Sequence, residues 1–587
     1  MLVACTHDPQ TREHDEFLDR LSASAGPPAA CIKQLTSMLC VWPPAFVDPV
    51  RALAAEGWLD IDGPLSPTNV AQVRGDYALA STQAGGLLLA TGTAGGHRPI
   101  FVARPSPTSL VASTRLSALL RLLPAQSDLD LDFIAASIAH IAGYPASKTP
   151  YRNIQRLPIG EAWLVCPGRG DLRLSTFRPL TVPELRVGPQ ERAVLFREAL
   201  TSSVRRATRG TDRVAVAVSG GLDSSSVFSI AHWLADAGDL PASPLGLAFD
   251  FNAPALGDDR SYWHSLAEHL KVNIEGITPH QASKLLRAQL VLDAMPCRPA
   301  TTALSVTLAR RALEKGASVV LSGVGGDDVV NGQLALFGAL ARKGRLRTAT
   351  CGLLEIRGLY YMGQIARLRY LALSSVGPFV PSIVKRAAWR HRANEIYPWA
   401  GPRLRSYLSE VASTGISVPR PSLEDGPAER YRKLLAMPIF RFIHLIRNQE
   451  EIASGIIRRD PFLDDEFLRF VATLPGLALM QGGFLRGLLR ESMHGLLPER
   501  VRLRENKGYV AYAIMQMVAA AGGGRAIADL ADVRMLADLR LVEPRCFRKQ
   551  FEQVLRDPLR IGLGGFWPTI AAEAFMREHA GGSTNPD

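Results

Sequence analysis

A chain of 587 residues is too long for one hydrophobic core, so two or more domains are expected. Its 47% hydrophobic and 21% charged residues describe a soluble globular protein, and no uninterrupted apolar run approaches the roughly 18 residues that span a bilayer. The net charge of +12 would suit an anionic partner, but much of the excess is arginine along apolar helices between Arg342 and Arg405, the pattern of a solvated face, so neither nucleic acid nor membrane is expected as a partner.

Seven scattered cysteines without a CxxC pair fit a reducing cytoplasm rather than a disulfide framework. Asp8, Arg12, Glu13 and Asp15 follow the start closely, which argues against a secretory signal. Cys5, His7 and His14 lack a fourth ligand at useful spacing, so no metal is expected there.

Residues 1–185 alternate short apolar runs with turns: Trp58-Leu-Asp-Ile, Tyr77-Ala-Leu-Ala, Gly86-Leu-Leu-Leu-Ala, Pro99-Ile-Phe-Val-Ala, Ser109-Leu-Val-Ala-Ser and Ala162-Trp-Leu-Val-Cys. Such spacing predicts antiparallel sheets stacked with a few helices. From about 190 to 575 the pattern changes. Val214–Val218 reads as a strand buried on both faces, followed by the turn Ser219-Gly220-Gly221 and a helix over Ser224–Gly238. Adjacent glycines let the backbone approach a ligand, and a helix N-terminus behind them makes an anion site.

Leu245–Phe249 and Val272–Ile277 read as further strands, with a helix from the Asp258-Asp259 turn to Leu270 between them. Ala317–Leu321 is another strand, running into Ser322-Gly323-Val-Gly325-Gly326-Asp327-Asp328. Strands alternating with helices imply a doubly wound parallel sheet whose crevice lies at the strands' carboxyl ends. Beyond Leu334 the chain reads as helical, as over Leu353–Leu373 and Leu434–Ile457, with a Pro/Ser/acid-rich connection or lid at Pro419–Pro427.

The loop Ser219-Gly220-Gly221-Leu222-Asp223-Ser224-Ser225 is neither a Walker motif nor a dinucleotide fingerprint, and it resembles the SGGxDSS pyrophosphate loop of enzymes that split ATP into AMP and pyrophosphate. Other elements are similar to asparagine synthetases and β-lactam synthetases. Gly75-Asp-Tyr-Ala-Leu, Gly96-His-Arg-Pro-Ile, Ala112-Ser-Thr and Ile154–Gly160 resemble strands and turns of the glutaminase domain. Ser322–Asp328, Arg459-Asp-Pro-Phe-Leu-Asp464, Gly487–Pro498 and Arg504-Glu-Asn-Lys507-Gly-Tyr resemble parts of the synthetase domain.

The resemblance implies an α/β protein in two parts. One, over 1–185, is a degenerate Ntn glutamine amidotransferase-type α+β sandwich. The other, over 190–575, is a doubly wound ATP-pyrophosphatase (PP-loop) domain with helical additions. It implies ATP and Mg²⁺ as cofactors. Ser219, Gly220, Gly221, Asp223, Ser224, Ser225, Gly323 and Asp327 would bind the nucleotide, with Asp223 and Asp327 holding the metal. Lys507, Arg504 and Arg486 would act on the reacting phosphates, where negative charge builds. Arg486 stands where relatives have a lysine, which keeps the charge but not the geometry.

Two departures direct the choice of reaction. The family's glutaminase nucleophile is a cysteine directly after the initiator methionine, whereas here Met-Leu-Val-Ala precedes Cys5, so ammonia release from glutamine is not expected. The family glutamate two residues before the arginine of RxPFLD is Ile457. The RxxKGY spacing resembles lasso peptide cyclases, which join an Asp or Glu side chain of a precursor peptide to that peptide's own α-amine. The resemblance therefore implies a cytoplasmic ATP-dependent carbon-nitrogen ligase with a precursor peptide as substrate and a leader peptidase as partner. The alternative is an amide-forming synthetase using ammonia or a small-molecule amine. Tyr431 and Glu450 are candidates for a general base that sequence alone does not separate.

Overall fold

The structure, a computed structural model, describes the chain except residues 7–27, 35–36, 42–45, 49–52, 61–64, 84–85, 94–97, 107–108, 124–127, 140–146, 167–170, 254–257, 298, 360–361, 415–421, 507, 509, 557–565 and 583–587. His7, His14, Gly96, His97, Lys507, Tyr509 and the first part of the expected lid thus lie outside the described residues. The chain falls into two compact units. One is Met1–Pro179 with Val291–Pro296 and Phe440–Gln449, and the other is Leu180–Leu290, Cys297–Ile439 and Glu450–Asp587.

The first unit holds two six-stranded sheets. In chain order its strands are β1 (Leu2–Thr6), β2 (Ala30–Gln34), β3 (Ser37–Val41), β4 (Phe46–Asp48), β5 (Leu53–Asp60), β6 (Arg74–Gln83), β7 (Gly86–Thr91), β8 (Phe101–Ala103), β9 (Leu110–Ser113), β10 (Ile154–Arg156), β11 (Glu161–Val165) and β12 (Leu172–Ser175). The sheet orders are β10-β8-β9-β1-β3-β2 and β12-β11-β7-β6-β5-β4, with antiparallel pairing. Period-two alternation builds two cores. Ala78, Ala80, Leu87 and Leu89 join Leu2, Ala4, Val102 and Ala112 in one, while Tyr77, Leu79, Leu88 and Ala90 face another with Leu53 and Ala55.

The segments 291–296 and 440–449 belong to this unit for a local reason. β16 (Val291–Leu292) and β17 (Met295–Pro296) form a ribbon turned by Asp293 and Ala294, both at positive φ. The Asp293 carboxylate accepts from the backbone N–H groups of Leu116 and Ser117 at 2.9 and 3.0 Å, capping the helix Leu116–Leu122. Burial nonetheless pushes its acidity to higher pH than usual, against these bonds. Arg447 pairs with Asp76 at 3.4 Å.

The second unit carries a five-stranded, wholly parallel sheet in the order β15-β14-β13-β18-β19. Here β13 is Val214–Ala217, β14 Leu245–Phe249, β15 Ile274–Ile277, β18 Val319–Leu321 and β19 Ile457–Arg459. Two strands, β14 and β15, lie on one side of β13 and two, β18 and β19, on the other, so the order reverses between β13 and β18, where an open sheet of this kind leaves a crevice at its carboxyl edge. The helix Thr302–Glu314 packs Leu308, Ala309 and Ala312 against Ala215, Leu247 and Val320. β19 was not expected, because Ile457-Arg-Arg is too short and too charged to show a strand period.

Beyond β18 the helices are shorter than the apolar patterning suggested. Leu346–Glu355 and Gln364–Val376 are separate helices with Gly358 at positive φ between them. Pro427–Leu435 and Ile439–Ser454 are separated at Pro438, whose ring has no N–H for the helical ladder.

Candidate functional site

β13 and β18 are apolar because they are buried on both faces, and each ends in a glycine-containing turn at the same edge. After β13 the backbone turns at Gly220, φ 70°, where a Cβ would lie 2.9 Å from the Asp259 carbonyl oxygen. The helix Leu222–Asp236 then begins from Gly221, two residues earlier than expected, which places Asp223 and Ser224 in its first turn. Ser224 Oγ accepts from the Ser219 N–H at 3.0 Å and Ser219 Oγ from the Gly221 N–H at 3.3 Å, so the serines hold the loop's shape.

The β18 loop packs directly on this turn. A Cβ on Gly323 would lie 2.4 Å from Ser224 N, and one on Gly326 would lie 2.4 Å from Asp223 Cγ. Only residues without side chains fit there, and their fit brings Asp223 and Asp327 to the same place. Arg486 Nη1 sits 2.7 Å from Asp223 Oδ2 and 2.8 Å from Asp327 Oδ1. Arg486 itself is held at positive φ, 55°, at the start of the helix Gly487–Ser492.

The loops open on a cavity of about 490 Å³, a size that takes a small ligand. Ser219, Gly221, Asp223, Ser224, Gly323 and Asp327 all line it, and Arg486 and Arg504 do as well. Gly220 forms the bend, and Ser225 is fully buried, behind the wall. Away from the aspartates the wall is apolar, with Phe249, Leu308, Val320 and Ile439.

These residues suit ATP and Mg²⁺. The helix start and glycine turns leave N–H groups for phosphate oxygens, the apolar wall suits a base, and the two carboxylates are hard oxygen donors of the kind Mg²⁺ takes. Asp223 and Asp327 would hold the metal, which neutralises phosphate charge when bound.

Arg504 is 7% exposed and holds the loop from below. Its guanidinium donates to Asp259 Oδ1 at 2.6 Å, the Gly220 carbonyl at 3.1 Å and the Asn506 carbonyl at 3.0 Å, and lies 3.8 Å over the Tyr262 ring. The expectation grouped it with the phosphate-facing cations; the geometry gives it protein partners, and it ties segment 504–506 to the turn. Asn506 and Gly508 line the cavity, and Lys507 between them is outside the described residues. Arg490 supports the same segment, donating to the carbonyls of Leu485, Arg502 and Arg504. Burial, and after it the charge of Arg486, pushes Arg490 down to about 10.

The Arg459–Asp464 element is also a brace. Arg459 donates to the carbonyls of Ala207 and Arg209, and Asp460 accepts from Ser322 Oγ at 2.6 Å. Asp464 caps the helix Asp465–Thr473 through the Phe467 N–H and pairs with Arg206. The residue that sequence reading missed is Arg458. It lines the cavity and is paired with buried Glu450. Its only sequence signal was a second arginine beside the motif. Tyr431, by contrast, donates to Asp465 beneath the Arg469 guanidinium, and it does not line the cavity.

In the first unit Cys5 lies within β1, opposite Met38 on one side and Val111 on the other, and is 5% exposed. Glu56 is fully buried there. Its carboxylate accepts from Thr114 Oγ1 at 2.6 Å and lies 3.9 Å from Arg98, which pairs with Asp76 at 3.2 Å.

Among solved structures the chain is similar to glutamine phosphoribosylpyrophosphate amidotransferase from B. subtilis, complexed with ADP and GMP. The identity is 11%, over 55% of this chain and 81% of that one, with a TM-score of 0.18. It is also similar to a structure described as the allosteric regulatory enzyme of purine biosynthesis, at 13% identity over 59% and 72%, with a TM-score of 0.17. No curated protein matches the chain. The family profile described as asparagine synthase matches residues 195–560, a span that takes in both glycine loops, Arg486 and Arg504. The chain belongs to the asparagine synthase family.

Proposed function

We propose that this protein is a macrolactam synthetase of the lasso peptide type. Family membership carries ATP-dependent amide-forming synthetase activity in general. The finer reading concerns which carboxylate and which amine are joined. A side-chain carboxylate of a precursor peptide attacks the α-phosphorus, pyrophosphate leaves, and the peptide's own α-amine then displaces AMP and loses a proton. One water's worth of atoms leaves the peptide.

The chain's own residues would divide this work. Ser219, Gly221 and the first turn of Leu222–Asp236 hold the phosphates, Asp223 and Asp327 hold Mg²⁺, and Arg486 meets the charge on the departing pyrophosphate. Lys507, the residue after Asn506 in the sequence, is assigned the adenylated intermediate by its motif. Holding amine and acyl carbon on one peptide makes the second step effectively unimolecular.

The observation that carries the peptide reading is Cys5. Its thiol is buried within a paired strand, a setting that presents no nucleophile to glutamine, which supports an amine that comes from a source other than glutamine, as the substrate's own α-amine would. A leader peptidase that exposes the peptide's α-amine is the partner this chemistry needs.

The test is mass spectrometry of a linear precursor peptide incubated with the protein, ATP and Mg²⁺. Loss of one water with release of AMP supports the proposal. AMP formation that requires ammonia or a small amine, with the peptide unchanged, replaces it with the smaller-acceptor reading.

A further inference from the structure

Fifteen large apolar residues are exposed among the described residues, and seven of them lie between residues 365 and 384: Ile365, Leu368, Leu373, Val376, Phe379, Ile383 and Val384. Ile365 is 85% exposed, Phe379 76% and Ile383 67%. They come from the helix Gln364–Val376, the single turn Gly377–Phe379 and the helix Ser382–Ile396. Within the first helix Ile365, Leu368, Ala372 and Val376 recur at spacings of three, four and four, which puts them on one face.

The opposite face is already occupied. Leu371 is buried, Arg367 donates to the carbonyls of Leu354 and Ile356, and Ser374 meets Gly338 of the helix Ala335–Arg342 so closely that a Cβ there would lie 2.5 Å from its hydroxyl. In the helix Ser382–Ile396 only Ala393 is buried. The apolar stripe is therefore what these elements turn outward, and clustered exposure of this kind marks an interaction surface.

The charges around it name the partner. Arg369, Lys385, Arg390 and Arg392 are exposed in the same helices, and the one acidic residue between Gly363 and Ile396 is Glu395, which faces His391. Cations interleaved with exposed aliphatic and aromatic side chains suit an interface whose own charge is negative and whose interior is fluid hydrocarbon. Aliphatic side chains enter the acyl boundary while guanidinium groups stay among phosphates.

We propose that residues 364–396 form a monotopic docking surface for an anionic lipid bilayer. No described helix is long and apolar enough to cross a membrane, and lying on one needs no such helix. The expectation of no membrane partner rested on the missing span and on reading the arginines as a solvated face. The exposed stripe beside them changes that reading.

The test is co-sedimentation of the full chain with phosphatidylcholine vesicles, with and without phosphatidylglycerol. Binding is expected only with phosphatidylglycerol and should weaken as salt rises. Lys385→Glu, Arg390→Glu and Arg392→Glu should each lower partition about fivefold or more. The triple variant Ile365→Asp, Phe379→Asp, Ile383→Asp should abolish it with an unchanged melting temperature, because these side chains are exposed. Failure to bind phosphatidylglycerol vesicles at low salt, or unaltered binding by the folded triple variant, overturns the proposal. Concentration-dependent self-association of a non-binding wild type that this variant removes also overturns it, and assigns the face to a second copy of the chain.

Discussion

Arg486 Nη1 lies 2.7 Å from Asp223 Oδ2, so the cation that follows the first loop's aspartate into the cavity is an arginine reaching from a helix start more than 260 residues later in the chain. The same nitrogen reaches Asp327 of the second loop. One guanidinium thus spans the two carboxylates assigned to Mg²⁺. Asp223→Ala should abolish conversion of ATP to AMP and pyrophosphate, and Arg486→Ala should lower it on the order of a hundredfold. Pyrophosphate release measures both. Near-normal turnover of Asp223→Ala would remove its metal role.

The two glycine loops touch through backbone, which makes Gly323 sensitive to a single methyl. Gly323→Ala would place a carbon 2.4 Å from Ser224 N and must separate the loops. ATP turnover should fall at least tenfold while the circular dichroism spectrum stays native. Gly188→Ala, where nothing lies within 4 Å, is the matched control and should retain turnover.

Glu450 and Arg458 are side chains at 5% and 12% exposure that neutralise one another. Glu450→Ala leaves a buried arginine charge, a loss of about 3–5 kcal/mol. Adding Arg458→Met should restore most of it, as read by denaturant unfolding. If Arg458 orients the reacting carboxylate, the restored double variant stays inactive; full activity would limit the pair to packing.

Lys507→Ala should leave the melting temperature and ATP affinity unchanged and lose product. A fully active variant would withdraw the residue from the reaction.

The cysteines give two checks. Cys5→Ala should leave turnover unchanged, and glutamine should stimulate neither protein; a glutamine-specific loss would restore Cys5 as a nucleophile. Burial pushes the Cys297 thiol up to about 12. Since the thiolate is the reactive form, iodoacetamide at neutral pH should label exposed Cys351 and spare Cys297 until the protein unfolds. Labelling of Cys297 in the native protein would contradict its burial.

Much of this protein was readable in one dimension because its chemistry sits in local patterns. A run such as Val214-Ala-Val-Ala-Val followed by Ser-Gly-Gly has few folded alternatives, so the strand, the turn and the alternation of strands with helices followed from short-range physics, while the second loop at Ser322–Asp328 was legible through its resemblance to a family motif. Tertiary structure decided the rest, since those facts depend on residues far apart in sequence. That Arg486 meets Asp223, that Arg504 is occupied beneath Gly220, that Arg458 faces the cavity from an edge strand, and that Glu450 rather than Tyr431 stands behind its wall are long-range packing outcomes, and no spacing along the chain encodes them. The exposure of Ile365 and Phe379 is of the same kind, because an amphipathic pattern predicts a face to bury and only the fold shows whether the rest of the chain buries it.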